Sequence, residues 1–277
     1  MGRRLFNDRR LSKDNSIAYV NCHNLSHGGA NRTSVSVGLG DRKGDLNAPT
    51  IFNASLNVAQ FWDGRADTLE DQIDGPVHHA AEMGSDWDEI FGKLELDRDY
   101  TQQFDELYKD GITTANIKNA IATFERSLIT TGSRFDRYLL GDTDALNDSE
   151  REGYRLFKDL GCASCHQGAN VGGNLFVKFG VWNNYFTDRG ALSNADLGRY
   201  NVTGRERDRH VFKVPSLRAA AATPPYFHDG SEETLEGAIF IMAFYQLGIS
   251  LTPDKVEHLA GFIRSLAGNI DGQPIWP

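Results

Sequence analysis

The chain has 277 residues, 40% of them hydrophobic, enough for one large core or two ordinary ones. No apolar run approaches the ~20 residues that a membrane-spanning helix needs, so no membrane span is expected. A formal net charge of −9 argues against nucleic acid as a partner; it favours solubility, with a basic protein as the partner such a surface would attract.

Residues 2–12 read as a short helix and 12–16 as a polar loop, followed by Tyr19-Val20-Asn21-Cys22-His23. Residues 24–60 are loop-rich, with Gly28-Gly29, Gly38, Gly40 and Gly44 as punctuation. Asn47-Ala48-Pro49-Thr50 leads towards Phe61-Trp62-Asp63-Gly64-Arg65-Ala66. Thr68 has the chemistry of an N-cap, with Glu70 and Asp71 in the first turn, and Gly75-Pro76 is expected to break that helix. Three apolar stripes at helical spacing follow: Trp87, Ile90, Phe91 and Leu94; Tyr100, Phe104, Leu107 and Tyr108; Ile117, Ile121, Phe124 and Leu128. They read as core packing. Residues 130–148 read as a polar connection.

The second half opens with a helix carrying Leu156 and Phe157, then Gly161-Cys162-Ala163-Ser164-Cys165-His166. Cys-x-x-Cys-His is the attachment signature of a c-type haem. Its two thiols add across the haem vinyl groups, and the adjacent His166 reaches the iron as an axial ligand. A redox Cys-x-x-Cys pair would expect a βαβ pattern, and a zinc site a second Cys/His pair. Residues 168–209 lack periodicity and read as loop over the haem. Thr223-Pro224-Pro225-Tyr226-Phe227-His228-Asp229-Gly230 reads as a rigid turn. Thr234 caps a helix bearing Leu235, Ala238, Ile239, Met242 and Tyr245, and Thr252-Pro253 starts the last helix.

An internal repeat divides the chain. Gly2-Arg3-Arg4-Leu5-Phe6 recurs as Gly153-Tyr154-Arg155-Leu156-Phe157, and each copy is followed by a Cys-His pair, Cys22-His23 and Cys165-His166. A repeat this far apart means two similar domains rather than a solenoid. The expected fold is mainly α, with two cytochrome c-like haem domains and long irregular loops, at residues 1–130 and 131–277. In the first copy Tyr19 stands where the motif has its first cysteine, so at most one thioether, through Cys22, can hold that haem while His23 ligates the iron. The alternative is a degenerate first site without haem. With all three cysteines assigned as anchors, no structural disulfide is expected. Covalent haem attachment in bacteria takes place outside the cytoplasm, so a periplasmic protein is expected. Met1-Gly2-Arg3-Arg4 opens without an apolar signal segment, implying that the signal was removed or that the start is incomplete.

Together these motifs resemble the bacterial di-haem cytochrome c peroxidase family, which also includes the methylamine dehydrogenase maturation enzymes. The resemblance spans roughly residues 2–266 and rests on both Gly-x-x-Leu-Phe segments, Asn47–Thr50, Phe61–Ala66, Glu82-Met83-Gly84, Val214–Arg218 and Pro225–Gly230. It implies that the first haem reacts with hydrogen peroxide and the second receives electrons from a small cytochrome c or copper protein. His23 would then be proximal ligand of the peroxidatic haem, and His166 with Met242 would ligate the electron-transfer haem. A thioether ligand suits that role because it favours ferrous iron. Glu82 would be the acid/base that moves a proton between the two peroxide oxygens, Gln72 a hydrogen-bond donor in the same pocket, and Trp62 an electron bridge between the haems. Asn47, Thr223 and Pro225 match an interdomain calcium site built from an amide oxygen and backbone carbonyls. A homodimer is implied in the same way.

Two departures from the family pattern matter. Tyr19 is one. The other is Leu39, at the position where many relatives carry a histidine that caps the resting peroxidatic iron. Leucine cannot ligate, so an open site needing no reductive activation is expected. His27, His78 and His79 are nearby substitutes, each read first as a surface or hydrogen-bonded residue. Two rival readings remain: a non-catalytic electron carrier or redox sensor, and a maturation-type oxidase, against which Met242 counts.

Overall fold

A computed structural model describes residues 1–276. Its regular structure is mainly helical and falls into two groups joined by irregular chain. The first holds α1 (Gly2–Phe6), α2 (Tyr19–Cys22), α3 (Leu69–His78), α4 (Trp87–Glu95), α5 (Arg98–Leu107) and α6 (Thr114–Ser127). Leu5, Phe6, Tyr19, Ile73, Ile90, Tyr100, Phe104 and Ile117 build its core. The second holds α7 (Arg134–Leu139), α8 (Asp148–Asp159), α9 (Tyr185–Arg189), α10 (Tyr200–Thr203), α11 (Leu235–Leu247) and α12 (Pro253–Ser265). Phe135, Leu156, Phe157, Leu259, Phe262 and Ile263 pack together there. A third, aromatic cluster of Phe179, Tyr185, Phe186 and Phe212 receives Trp62 from the first half and Met242 from α11.

The repeat has a structural cause. A Cβ on Gly2 would lie 2.0 Å from the Ala120 carbonyl oxygen, and one on Gly153 would lie 1.9 Å from that of His258. Each copy therefore lets its opening helix press backbone to backbone against a later one, α1 on α6 and α8 on α12. The Leu-Phe pair three residues on then fills the core beside it, Leu5 and Phe6 in one case and Leu156 and Phe157 in the other. The glycines are needed for approach distance, and the Leu-Phe pairs supply the apolar area that the crossing buries.

Several expectations are corrected. The opening helix ends at Phe6, and Arg9–Leu11 form a separate 3₁₀ turn. Gly75-Pro76 does not break α3, which runs through both to His78. Pro76 lies in the last turn, where a missing N–H costs one hydrogen bond, and buried Val77 anchors the continuation. Thr68 does cap this helix, accepting from the Asp71 N–H at 3.0 Å. Leu107 sits at the end of α5 with its side chain in solvent, outside the predicted stripe. Within 168–209 the chain is more ordered than expected. It carries α9, α10 and β1 (Phe176–Lys178), which pairs antiparallel with β2 (Val211–Lys213), Phe176 opposite Lys213. Residues 130–148 include α7, whose Phe135 enters the second core. The last strands, β3 (Asn269–Ile270) and β4 (Gln273–Pro274), return to the first half: Thr131 and Asn269 exchange backbone hydrogen bonds, and Ile270 packs on the first core.

Candidate functional site

The second Cys-His pair is presented by a 3₁₀ turn, Cys162–Ser164, that follows Gly161 in a left-handed conformation (φ 90°). Cys162, Cys165 and His166 line a largely apolar cavity of about 260 Å³, and Met242 reaches it from α11. The turn leaves both thiols and the imidazole aimed at one space. The His166 ring lies against the backbone of Val171 and Pro215, and its Nδ1 is buried with no partner at full hydrogen-bond geometry among the described residues. Burial pushes its pKa down to about 4, so the ring is the neutral form that ligates metals, and burial pushes the Cys162 thiol up to about 11. Two thiols, a neutral imidazole and a thioether around an apolar space fit a covalently held haem.

The first pair is built differently. Ala18 precedes the single turn of α2, and Tyr19 at its start is 2% exposed, stacks on Phe6 with ring centroids 5.8 Å apart, and donates its hydroxyl to the Ile73 carbonyl at 3.2 Å. The residue in the place of a cysteine is thus a fitted member of the core. One turn on, His23 holds its Nδ1 3.3 Å from the Gly29 carbonyl, and burial brings its pKa to about 4. Burial, and after it the negative field of Glu82, push the Cys22 thiol up to about 11. One thiol and one neutral imidazole with an orienting carbonyl fit a haem held by a single thioether.

Glu82 lies in the turn after α3. The Leu39 N–H donates to its carbonyl at 2.8 Å, and a Cβ on Gly38 would meet the Glu82 Cα at 2.5 Å, so the 36–44 loop rests directly on this turn. Burial raises the carboxyl's pKa, with the charges of His79 and Arg65 pulling the other way, and its Oε1 stands 3.7 Å from His79 Nδ1. Its field also reaches Tyr19, which places the carboxyl on the α2 side. Gln72 is half-buried on α3, two residues ahead of Asp74, and its side chain makes no hydrogen bond among the described residues. Leu39 packs against Gly84 beside Glu82. His78 is engaged by the Ser85 carbonyl at 3.2 Å, and His27 is exposed.

Trp62 links the two regions. Its Nε1 donates to the Asn47 carbonyl at 2.9 Å, its own carbonyl accepts from the Lys213 N–H at 2.8 Å, and its ring lines the cavity of His166. Pro49, two residues past Asn47, meets the His23 ring through its backbone. Asn47, Thr223 and Pro225 all line the cavity. Asn47 is buried, donating Nδ2 to the Thr33 carbonyl at 3.0 Å and its N–H to that of His228 at 2.8 Å.

Sequence reasoning missed two features near this cavity. Asp196 accepts from His228 Nε2 at 2.7 Å and from Arg189 at 2.6 Å, while Arg189 also pairs with Asp229 at 2.5 Å. Burial would raise the Asp196 pKa, but Ser193, Arg189 and His228 hold it down to about 2. The three acidic and imidazole groups lie within 4.8 Å of one another, and Arg189 is the cation between the carboxylates. Their sequence separations, 189 to 196 to 228, leave no local signature. The other is Lys213, buried on β2 at the cavity wall. A lone lysine between Phe212 and Val214 reads as the polar residue of an alternating strand.

The sequence profile of the di-haem cytochrome c peroxidase family matches residues 1–144. The chain is 46% identical over 269 residues to the cytochrome c peroxidase Ccp of Escherichia coli, covering 97% of this chain and 57% of that protein. It is 45% identical over 271 residues to the cytochrome c551 peroxidase of Nitrosomonas europaea, covering 97% of this chain and 79% of the relative. Among solved structures, a MauG-like protein associated with microbial copper homeostasis aligns with a TM-score of 0.85 at 28% identity, over 96% of this chain and 87% of that one. With two Cys-His sites on one mainly helical frame and this extent of identity, the chain belongs to the di-haem cytochrome c peroxidase family, whose members carry two c-type haems.

Proposed function

We propose that the protein reduces hydrogen peroxide to water at its first haem, with electrons that enter at the second from a small cytochrome c or copper protein. The observation that carries this reading is the placement of a half-buried carboxyl, Glu82, within electrostatic reach of Cys22. The haems, when bound, supply the one-electron chemistry. The chain supplies the rest. His23 and His166, held neutral by burial, would ligate the irons of the first and second haem, and Met242, which lines the second cavity, would be a further donor there. Cys162 and Cys165 would anchor the second haem, and Cys22 alone the first, because Tyr19 offers no thiol for a thioether. Glu82, with a raised pKa, takes the proton from one peroxide oxygen and returns it to the other, so that water leaves rather than hydroxide. Gln72 donates a hydrogen bond to peroxide. Trp62 carries electrons between the halves, and its position on the cavity of His166 with a bond to the Asn47 carbonyl supports that role.

The same reading takes residues 1–130 and 131–277 as the two haem domains and Asn47, Thr223 and Pro225 as oxygen donors to a calcium ion between them. It takes Leu39 as leaving the first iron open in the resting state. Periplasmic location and a homodimer complete it. The test is stopped-flow oxidation of reduced cytochrome c by peroxide, using protein matured with periplasmic haem machinery. Turnover by the fully oxidised resting protein without a pre-reduction step supports both the activity and the open site. Absence of turnover in the resting and pre-reduced forms alike would leave an electron carrier.

A further inference from the structure

We propose that Lys213 is the cationic partner of a carboxylate of the second haem, and that its charge sets that haem high in potential for receiving electrons. The observations are geometric. Lys213 is 6% exposed, its strand β2 is buried at all three positions, and it lines the cavity that holds His166 and Met242. No ion pair or side-chain hydrogen bond engages its ammonium among the described residues. The cavity lining contains Lys213 and Lys178 but no aspartate or glutamate, in a chain with a formal net charge of −9. A buried cation without a protein anion nearby is costly unless something else neutralises it. Haem brings two propionate carboxylates, so the cavity's own occupant has the missing charge. Burial alone brings the lysine's pKa down to about 8, consistent with a site short of counter-charge until occupied.

The consequence for electron transfer follows from sign. An uncompensated propionate opposes the electron added to the iron, whereas an ammonium beside it favours the ferrous state. The backbone N–H of Lys213 also donates to the Trp62 carbonyl at 2.8 Å, which places this residue, by its backbone, next to the route proposed for electrons leaving the second haem. Lys213 is thus a positioning and tuning residue. This inference rests on His166 and Met242 being the ligands of that haem.

The test compares Lys213→Met and Lys213→Arg with the wild type as holoproteins, by spectroelectrochemistry of both haems. Lys213→Met is expected to shift the ferric–ferrous ratio of the high-potential haem at least tenfold towards ferric, a fall of about 59 mV for one electron. Lys213→Arg should restore most of it, and the low-potential haem should move less. Redox-difference infrared spectra of wild type and Lys213→Arg, with carbon-13 in the haem propionates, should differ in the carboxylate bands. That second measurement keeps the proposal testable if Lys213→Met fails to retain haem. Equal potentials in all three proteins, or identical propionate bands, would overturn it. Loss of the His/Met charge-transfer band in wild type would instead overturn the ligand assignment.

Discussion

The two Cys-His sites share a sequence motif and a helix crossing but not a chemical environment. Around Cys162, Cys165 and His166 the walls are largely apolar, the lining carries no carboxylate, and it includes the thioether of Met242. Around Cys22 and His23 a tyrosine that serves the core stands in the place of one thiol, and a half-buried carboxyl stands close enough to perturb the remaining thiol. A largely apolar site with a thioether in its lining suits storage and passage of electrons. A site with a poised acid and no second thioether suits reaction with a small polar substrate. The difference lies in what surrounds a common frame, since the same glycine-mediated helix crossing supports both.

The sharpest way to break this comparison is to remove one thiol from each side. Cys22→Ser should leave the first site without covalent attachment, lowering pyridine haemochrome from two haems per chain to one and abolishing peroxide turnover. Cys162→Ser should retain its haem through Cys165, leaving the second site with the single thioether that the first has naturally. Equal loss in both variants would mean that one thioether is not enough at the second site, and that the surroundings of Cys22 and Tyr19 add retention which the second site lacks. Next in size is the acid. Glu82→Gln keeps volume and removes the ionisable group, and a fall of about 10²–10⁴-fold in kcat/KM for peroxide is expected, with the haem spectrum unchanged. A change under tenfold would move the proton-transfer role elsewhere. Leu39→His would restore a candidate cap on the loop that leans on Glu82. If the histidine ligates nine-tenths of the resting population, initial turnover of the oxidised protein falls about tenfold, and pre-reduction recovers it.

Much of this was legible in the residues, for identifiable reasons. The haem signature at 161–166 is local, so the second site could be placed outright. The Gly-x-x-Leu-Phe repeat is also local, although its meaning, two helix crossings too close for a Cβ, appears only in three dimensions. Thr68 and Thr234 could be read as caps because capping is a contact within four residues. The misreadings share a cause. Pro76 looked like a helix breaker, but the tertiary anchor at Val77 outweighs one lost hydrogen bond. The pairing of β1 with β2 joins segments more than thirty residues apart, with no alternating pattern long enough to announce it. The Asp196, His228 and Arg189 network and the solitary charge of Lys213 are invisible for the same reason: a partner, or its absence, is a property of the fold.

The smallest expected effect also separates the two halves. Glu125, on α6 in the first core, is 2% exposed, and its carboxylate has no hydrogen bond among the described residues. Burial, then repulsion from Glu70, raise its pKa to about 8, with Arg126 opposing. The folded state therefore binds this proton more tightly than the unfolded chain, whose glutamates titrate near the ordinary value. Stability from the protonated form is fully present below about pH 4.5, falls as pH rises towards 8, and reaches its floor above that. Glu125→Gln cannot ionise and should escape the penalty. Thermal unfolding at about pH 5 should separate variant and wild type little, while at about pH 9 the variant gains on the order of 3 kcal/mol, with the gain confined to the transition of the first half. Comparing both proteins at each pH cancels every other titrating group. Parallel profiles would mean that Glu125 ionises as freely inside α6 as it does in water, and that the first core tolerates a buried carboxylate without a partner.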